Sequence, residues 1–220
     1  MKKIDWSGFI SNMLSVVLGI FITFWIQGMI DRKAEIKEVN ASLELVKDEL
    51  IANKNDLHDV IGILSSEKTA AEYIIGCKSN FSKCDIDSLR TFNSYLNTEY
   101  FFTVTDDALE LMKSSSLFQK MNDNRLALKI IKAYDYLGVN AQAFNTHEKY
   151  KTTVYNDANT DKTKKYAAYT SGTDLLKKFY STAEADNMLR SMIEMSNSEF
   201  LQVGLPEIDA TIAEIESRLK

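Results

Sequence analysis

Two histidines, two cysteines and scattered carboxylates are the residues of this 220-residue chain from which chemistry could be built. Histidine titrates nearest neutral pH, so His58 and His147 are the candidate general bases. His58 follows Leu57 in a periodic helical stretch, off its apolar stripe, and reads as a solvated residue. His147 stands in the polar run Asn145 to Tyr150, beside Glu148 and Lys149, and reads as a polar-face residue with no nucleophile or metal partner. Asp106, Asp107 and Glu110 cluster where a helix should begin, and the helix dipole accounts for them. No G-x-S-x-G, H-E-x-x-H or Walker-type run occurs. The expectation is a protein that is not an enzyme and takes no cofactor or metal.

Cys77 and Cys84 are separated by six residues in a segment with Gly76, Ser79, Asn80 and Ser82, the composition of an inter-helix loop. A disulfide closing that loop is reasonable in an oxidising compartment. The alternatives are two reduced thiols or, less favoured, a metal site. The spacing is not C-x2-C, and the histidines are distant in sequence.

The elements that must position these groups begin with residues 9–30, 22 consecutive residues without a charge. As a helix they would cover ~33 Å, enough to cross a bilayer's hydrocarbon core of ~30 Å. Lys2 and Lys3 precede the run, and Asp31, Arg32 and Lys33 follow it. A cleaved signal peptide is the competing reading. The apolar run is too long for one, and no Ala-x-Ala-like site follows. The lipid bilayer is thus the first expected partner. Orientation is divided: Arg32, Lys33, Lys37 and Lys47 lean toward a cytoplasmic domain, the cysteine pair toward the outside, and the outside is favoured.

After the span the chain reads as a stem. Ile36, Val39, Leu43, Val46, Leu50, Asn53, Leu57, Val60 and Leu64 alternate three and four apart, a narrow seam that must face another helix. Charged positions such as Lys37, Glu38, Glu44, Lys47, Asp48 and Glu49 flank it, and Asn53 would fix register. Ile208, Ile212, Ile215 and Leu219 form a second stripe after Pro206, the only proline. The stem can pair with this C-terminal helix or with copies of itself; pairing within the chain is favoured because both stripes then have a partner. Self-association falls to the span, where Ser7, Ser11, Ser15, Gly19 and Thr23 recur every fourth residue and would let helix backbones approach closely. Trp6 and Trp25 lie near the span's two ends.

Sparse glycine and abundant Ala, Leu, Lys and Glu predict further helices. Asp85 or Asp87 caps one running to about Leu96. Residues 100–104 are aromatic and β-branched, an extended connection. Thr105 or Asp106 caps a helix interrupted at Ser114 to Ser116, and Asn122 to Asn124 opens a longer one with Leu126, Ile130, Tyr134, Leu137, Ala141 and Phe144 on one face. Residues 156–163 read as a polar loop, and Ser181 with Glu184 as a capping box. Tyr95, Tyr100, Phe101 and Phe102, and the face of Met188, Met192 and Met195, read as core.

The predicted fold is all-α: an N-terminal transmembrane helix continuing into a long stem helix packed in an antiparallel helical bundle. Its segments are a flank at 1–8, the span at 9–30, the stem at 31–75, a cysteine loop at 76–84, a helical domain at 85–205 and a C-terminal helix at 206–220 packing back on the stem.

Three segments carry a family resemblance: the span Val16 to Gln27, the stem ending in Lys47 to Leu57, and a central pattern of Phe102, Ala108, Leu111, Ser114 to Ser116, Leu117, Asn124, Leu126, Ile130 and Tyr134. With these the chain resembles an uncharacterised family of bacterial single-span membrane proteins, a domain of unknown function. That family more often has glycine in the break where this chain has Ser116. The resemblance implies a helical domain anchored in the bacterial cytoplasmic membrane and outside the cytoplasm; it implies no activity. The net charge of −5, mixed in sign and without a basic stripe, gives no footing for nucleic acid. The functional expectation is a non-catalytic membrane-anchored interaction or scaffold protein with a protein partner or a second copy of itself. The alternative is a sensory or ligand- or peptide-binding module signalling through the stem.

Overall fold

The computed structural model describes residues 6–158 and 173–220, with side chains placed for 13–81, 83–157 and 176–220. The described residues form helices α1 (Trp6–Cys77), α2 (Ile86–Asn97), α3 (Asp107–Ser114), α4 (Leu117–Lys120), α5 (Asn124–Ala158), α6 (Thr173–Tyr180), α7 (Ala183–Met195), α8 (Glu199–Gln202) and α9 (Leu205–Leu219). None of them is in a strand.

α1 holds span and stem in one helix of 72 residues, ~108 Å at 1.5 Å per residue. No proline breaks it, and its internal glycines have open space around them. Its first part is long and apolar enough to cross a membrane. Residues 13–38 are exposed throughout, and burial begins at Val39. Contacts between residues distant in sequence give the course of the rest. α2, the connection 98–106, α3 and α4 descend along the stem: Tyr73 stacks on Phe92, Asn53 bonds Thr105, and Lys120 reaches Glu38. α5 ascends from Leu126 to Tyr155. α7, α8 and α9 descend again, from Asp186 on Lys78 through Asp209 on Lys54 to Arg218 on Asp123. The result is an up–down–up–down bundle whose two descending arms are broken and whose ascending arms are long.

The seam explains this packing. Val39, Leu43, Val46, Leu50, Leu57, Val60 and Leu64 are buried against α5 residues such as Leu126, Ile130 and Leu137 and α9 residues Ile208, Ile212 and Ile215. Each leucine so removed from water contributes about 1.5–3 kcal/mol. Ile36 departs from the expected seam: it is exposed, because burial along the stem starts at Val39 and none of the described residues descends far enough to cover it. It lines a cleft of about 360 Å³ at the end of the charge-free part of α1, together with Gly28, Arg32, Lys120 and Arg218. Above Leu64 a second apolar cluster gathers Ala70, Ala71 and Ile74 with Leu89, Leu96, Tyr155, Phe179, Tyr180, Met188 and Leu189.

Local signals resolve as follows. Asp85 caps α2, its carboxylate accepting from the Ser88 amide at 2.8 Å and the Ser88 hydroxyl at 2.6 Å, bonds that hold its pKa below the usual carboxylate value. α7 is capped by Thr182 rather than Ser181: Thr182 Oγ1 accepts from the Ala185 amide at 3.2 Å, while the Ser181 hydroxyl turns back to Lys177 O. Asp106 makes no side-chain cap for α3; the Ala108 amide donates instead to Glu49 Oε2 of the stem, at 3.1 Å. Ser116 holds the break between α3 and α4 at φ 58°, in the left-handed region that favours glycine. α5 runs to Ala158, beyond the expected start of a loop at 156, and the rest of that loop lies outside the described residues.

Candidate site: a buried charged layer between two apolar clusters

The stem's heptad spacing continues past Leu64 to Glu67, Ala71 and Ile74. A carboxylate therefore occupies a core-facing position. On α5 the stripe through Leu137, Ala141 and Phe144 likewise runs into His147, Glu148 and Lys151 before Tyr155 restores it. The two interruptions meet. Glu67, Glu148 and Lys151 have relative exposures of 0, 0 and 1%, and His147 of 8%. The expectation of a polar-face His147 is corrected on this point, while His58 is exposed, as a solvated stem residue should be.

Lys151 Nζ donates to Glu67 Oε1 and, at 2.6 Å, to Glu148 Oε2. It also lies 5.2 Å from the centroid of the Tyr100 ring, within cation–π range. His147 Nε2 lies 2.9 Å from Glu67 Oε2 and 3.7 Å from Glu148 Oε1. The Tyr100 amide donates to Glu148 Oε2 at 2.8 Å. One layer thus joins the stem, α5 and the connection 98–106. Glu148 Oε1 and His147 Nδ1 are buried without a hydrogen-bond partner among the described residues. Burial, and next the charge of Glu67, push the Glu148 carboxyl up to about 6 against the opposing pull of Lys151.

The connection below this layer has no helical or sheet partner for its backbone, so side chains serve it. Phe102 donates to Asn145 Oδ1 at 2.9 Å and accepts from Asn145 Nδ2 at 2.8 Å. Thr105 does the same with Asn53, at 2.9 and 2.7 Å. Asn53 is therefore buried in the seam, but its amide is spent on this segment of the same chain. Glu49, expected on the solvated flank, is half-buried; besides capping α3 it accepts from the Tyr134 hydroxyl at 2.5 Å. Burial, with the Glu49 carboxylate next, drives the Tyr134 phenol well above its ordinary pKa.

Chemically, the layer holds charge in place. The Glu67 carboxylate holds the His147 ring through Nε2. Glu67, His147 and Glu148 do offer donor atoms within 4.8 Å of one another, residue types able to hold a divalent cation. Lys151 already bonds both carboxylates, so a divalent ion beside it would leave surplus positive charge in a buried layer. His147 Nδ1 also lacks the outer acceptor that orients a ligating ring. The donor set fits an ion-pair cluster rather than a metal centre.

The other sequence-derived positions lie apart from this layer. Cys77 and Cys84 are bonded to each other, closing the turn from α1 to α2. On the span, the Ser11 side chain lies outside the described residues; Ser15, Gly19 and Thr23 are exposed, and the Thr23 hydroxyl donates to Gly19 O at 2.8 Å. Of Asp106, Asp107 and Glu110 at the start of α3, Glu110 accepts from Lys113 Nζ at 2.8 Å. Compared with known proteins, the chain matches no family model, no curated protein and no solved structure.

Proposed function

We propose that this protein is a non-catalytic, membrane-anchored helical interaction module, held by one span in a bacterial cytoplasmic membrane with its bundle outside. The observation that carries the reading is α1, whose exposed apolar part passes without a break into the stem that organises the bundle. The Cys77–Cys84 bond supports the outer side, since disulfides persist in oxidising compartments. The partner is a protein, or a second copy met through the face of Ser15, Gly19 and Thr23.

The test is fractionation and cross-linking of the full-length protein in its own membranes. It should resist carbonate extraction, be digested by protease added outside intact cells, and cross-link to one discrete partner. Release by carbonate would end the anchor reading, and protection from external protease would reverse the orientation. A second reading, a sensory module acting through the stem, draws on the charged layer: a stem that served only as a spacer has no need of Glu67 in its core face.

A further inference from the structure

We propose that the Glu67–Glu148 pair, held by Lys151 between α1 and α5, is a binding site for one proton whose occupancy sets how tightly α5 and residues 98–106 dock on the stem. The geometry has three parts. The layer is enclosed, with both carboxylates fully buried. Its carboxylates outnumber its ammonium: Glu67 and Glu148 share the single Lys151 Nζ, with the His147 ring beside them. Glu148 Oε1 is a buried acceptor to which none of the described residues donates, in a place where an unpaired polar atom is costly. A proton on the pair brings two carboxylates and one lysine to zero net charge. A divalent ion overshoots.

Titratable and charged groups face the pair from each element packed against it. From the stem the facing charge is Glu67; from α5 the facing groups are His147 and Lys151; from the connection it is Tyr100, through its amide and its ring. On the distal side are Tyr155 and Tyr180, both bonded to Asn93. Burial pushes the Tyr155 phenol up to about 12 and that of Tyr180 well above its usual value, so both stay neutral as the pair titrates. The proton enters from solvent on opening and leaves the same way. Because Glu148 Oε2 accepts the Tyr100 amide, a second negative charge in the layer is felt at once by the connection. When the pair is fully ionised, the contact between connection, α5 and stem is the one that loosens.

This inference deepens the sensory reading, but its measurement reads the site itself, so a failure to find a signalling partner leaves it standing. Hydrogen exchange of the full-length protein in detergent would be followed by mass spectrometry at about pH 5 and about pH 7.5, corrected for intrinsic rates, over peptides covering 98–106 and 144–152. With Glu148 at about 6 when closed and 4.5 when open, the opening constant should rise about eightfold between the two pH values. Glu148→Gln, neutral at both, should change less than twofold. Glu67→Gln, which removes the like charge, should also flatten the response and serves if Glu148→Gln fails to fold. A flat wild-type profile, or an eightfold rise retained in either variant, overturns the proposal. So does protection at about pH 7.5 that appears with added Zn²⁺ and vanishes with chelator, which would assign the layer to a metal.

Discussion

Replacing Lys151 by methionine keeps most of the side chain's volume and removes its charge. Two charge-assisted hydrogen bonds are lost, to Glu67 and Glu148, together with the contact to the Tyr100 ring. What remains is worse than the loss itself, because two buried carboxylates face each other without a cation. Breaking a buried pair on one side costs about 3–5 kcal/mol, and we expect that range near pH 7. Domains are stable by roughly 5–15 kcal/mol, so the variant should fold and be markedly weakened. The pH dependence fixes the cause. Glu148 is already raised above its unfolded value, so its contribution to stability is present below about 4.5 and is lost as pH rises through about 6. Without Lys151 the carboxyl rises further, and the deficit against wild type should be least near pH 5 and grow toward pH 8. Urea unfolding of the protein in detergent, followed by circular dichroism at several pH values, measures this. A deficit under about 1 kcal/mol at pH 7, or one that shrinks as pH rises, would refute the argument.

Four further outcomes are expected. In wild type, acidification from above pH 6 to about 4.5 should add about 2 kcal/mol from Glu148, until protonation of carboxylates with lowered pKa such as Asp85 and Asp186 acts the opposite way; a pH series of denaturation midpoints shows both limbs. Asn53→Ala should cost about 1–3 kcal/mol and speed exchange at the Thr105 amide, which loses its acceptor. Cys84→Ser should cost about 2–3 kcal/mol, since the bond closes a short loop, and mass spectrometry after thiol alkylation should find one labelled cysteine in the variant and none in wild type. Ser116→Gly should stabilise by up to about 1 kcal/mol by relieving the left-handed backbone, read as a raised melting temperature; destabilisation would show that Ser116 is held there by something other than its backbone.

Much of the fold was legible because it is written in one period. The seam from Val39 to Leu64, the face of α5 and the stripe of α9 are apolar residues three and four apart, and that spacing implies facing helices whatever the partner. Ile36 shared the spacing and is exposed, because periodicity cannot say where the covering helices stop. The charged layer was less visible. Glu67 does carry a signal: it is a carboxylate at a seam position, found by continuing the heptad three residues past Leu64. His147, Glu148 and Lys151 were hidden by their neighbours in sequence, where Thr146, Lys149 and Tyr150 made the run look solvated. Only the pairing of α5 with the stem shows that two breaks in two stripes are one site. Glu49 shows the same limit: its role as the cap of α3 depends on a contact 59 residues away.

The length of α1 has a consequence for what Glu67 can sense. From Asp31, where the charge-free run ends, to Glu67 is ~54 Å of helix at 1.5 Å per residue. Electrostatic influence of a charged lipid surface decays over a Debye length of roughly 8 Å at physiological ionic strength. If, as proposed, α1 stands upright in a bilayer, the layer would lie about six such lengths from the lipid surface. Protons concentrated at an anionic membrane surface would then be out of its reach, and the proposed occupancy would follow the acidity of the bulk medium, independent of lipid composition.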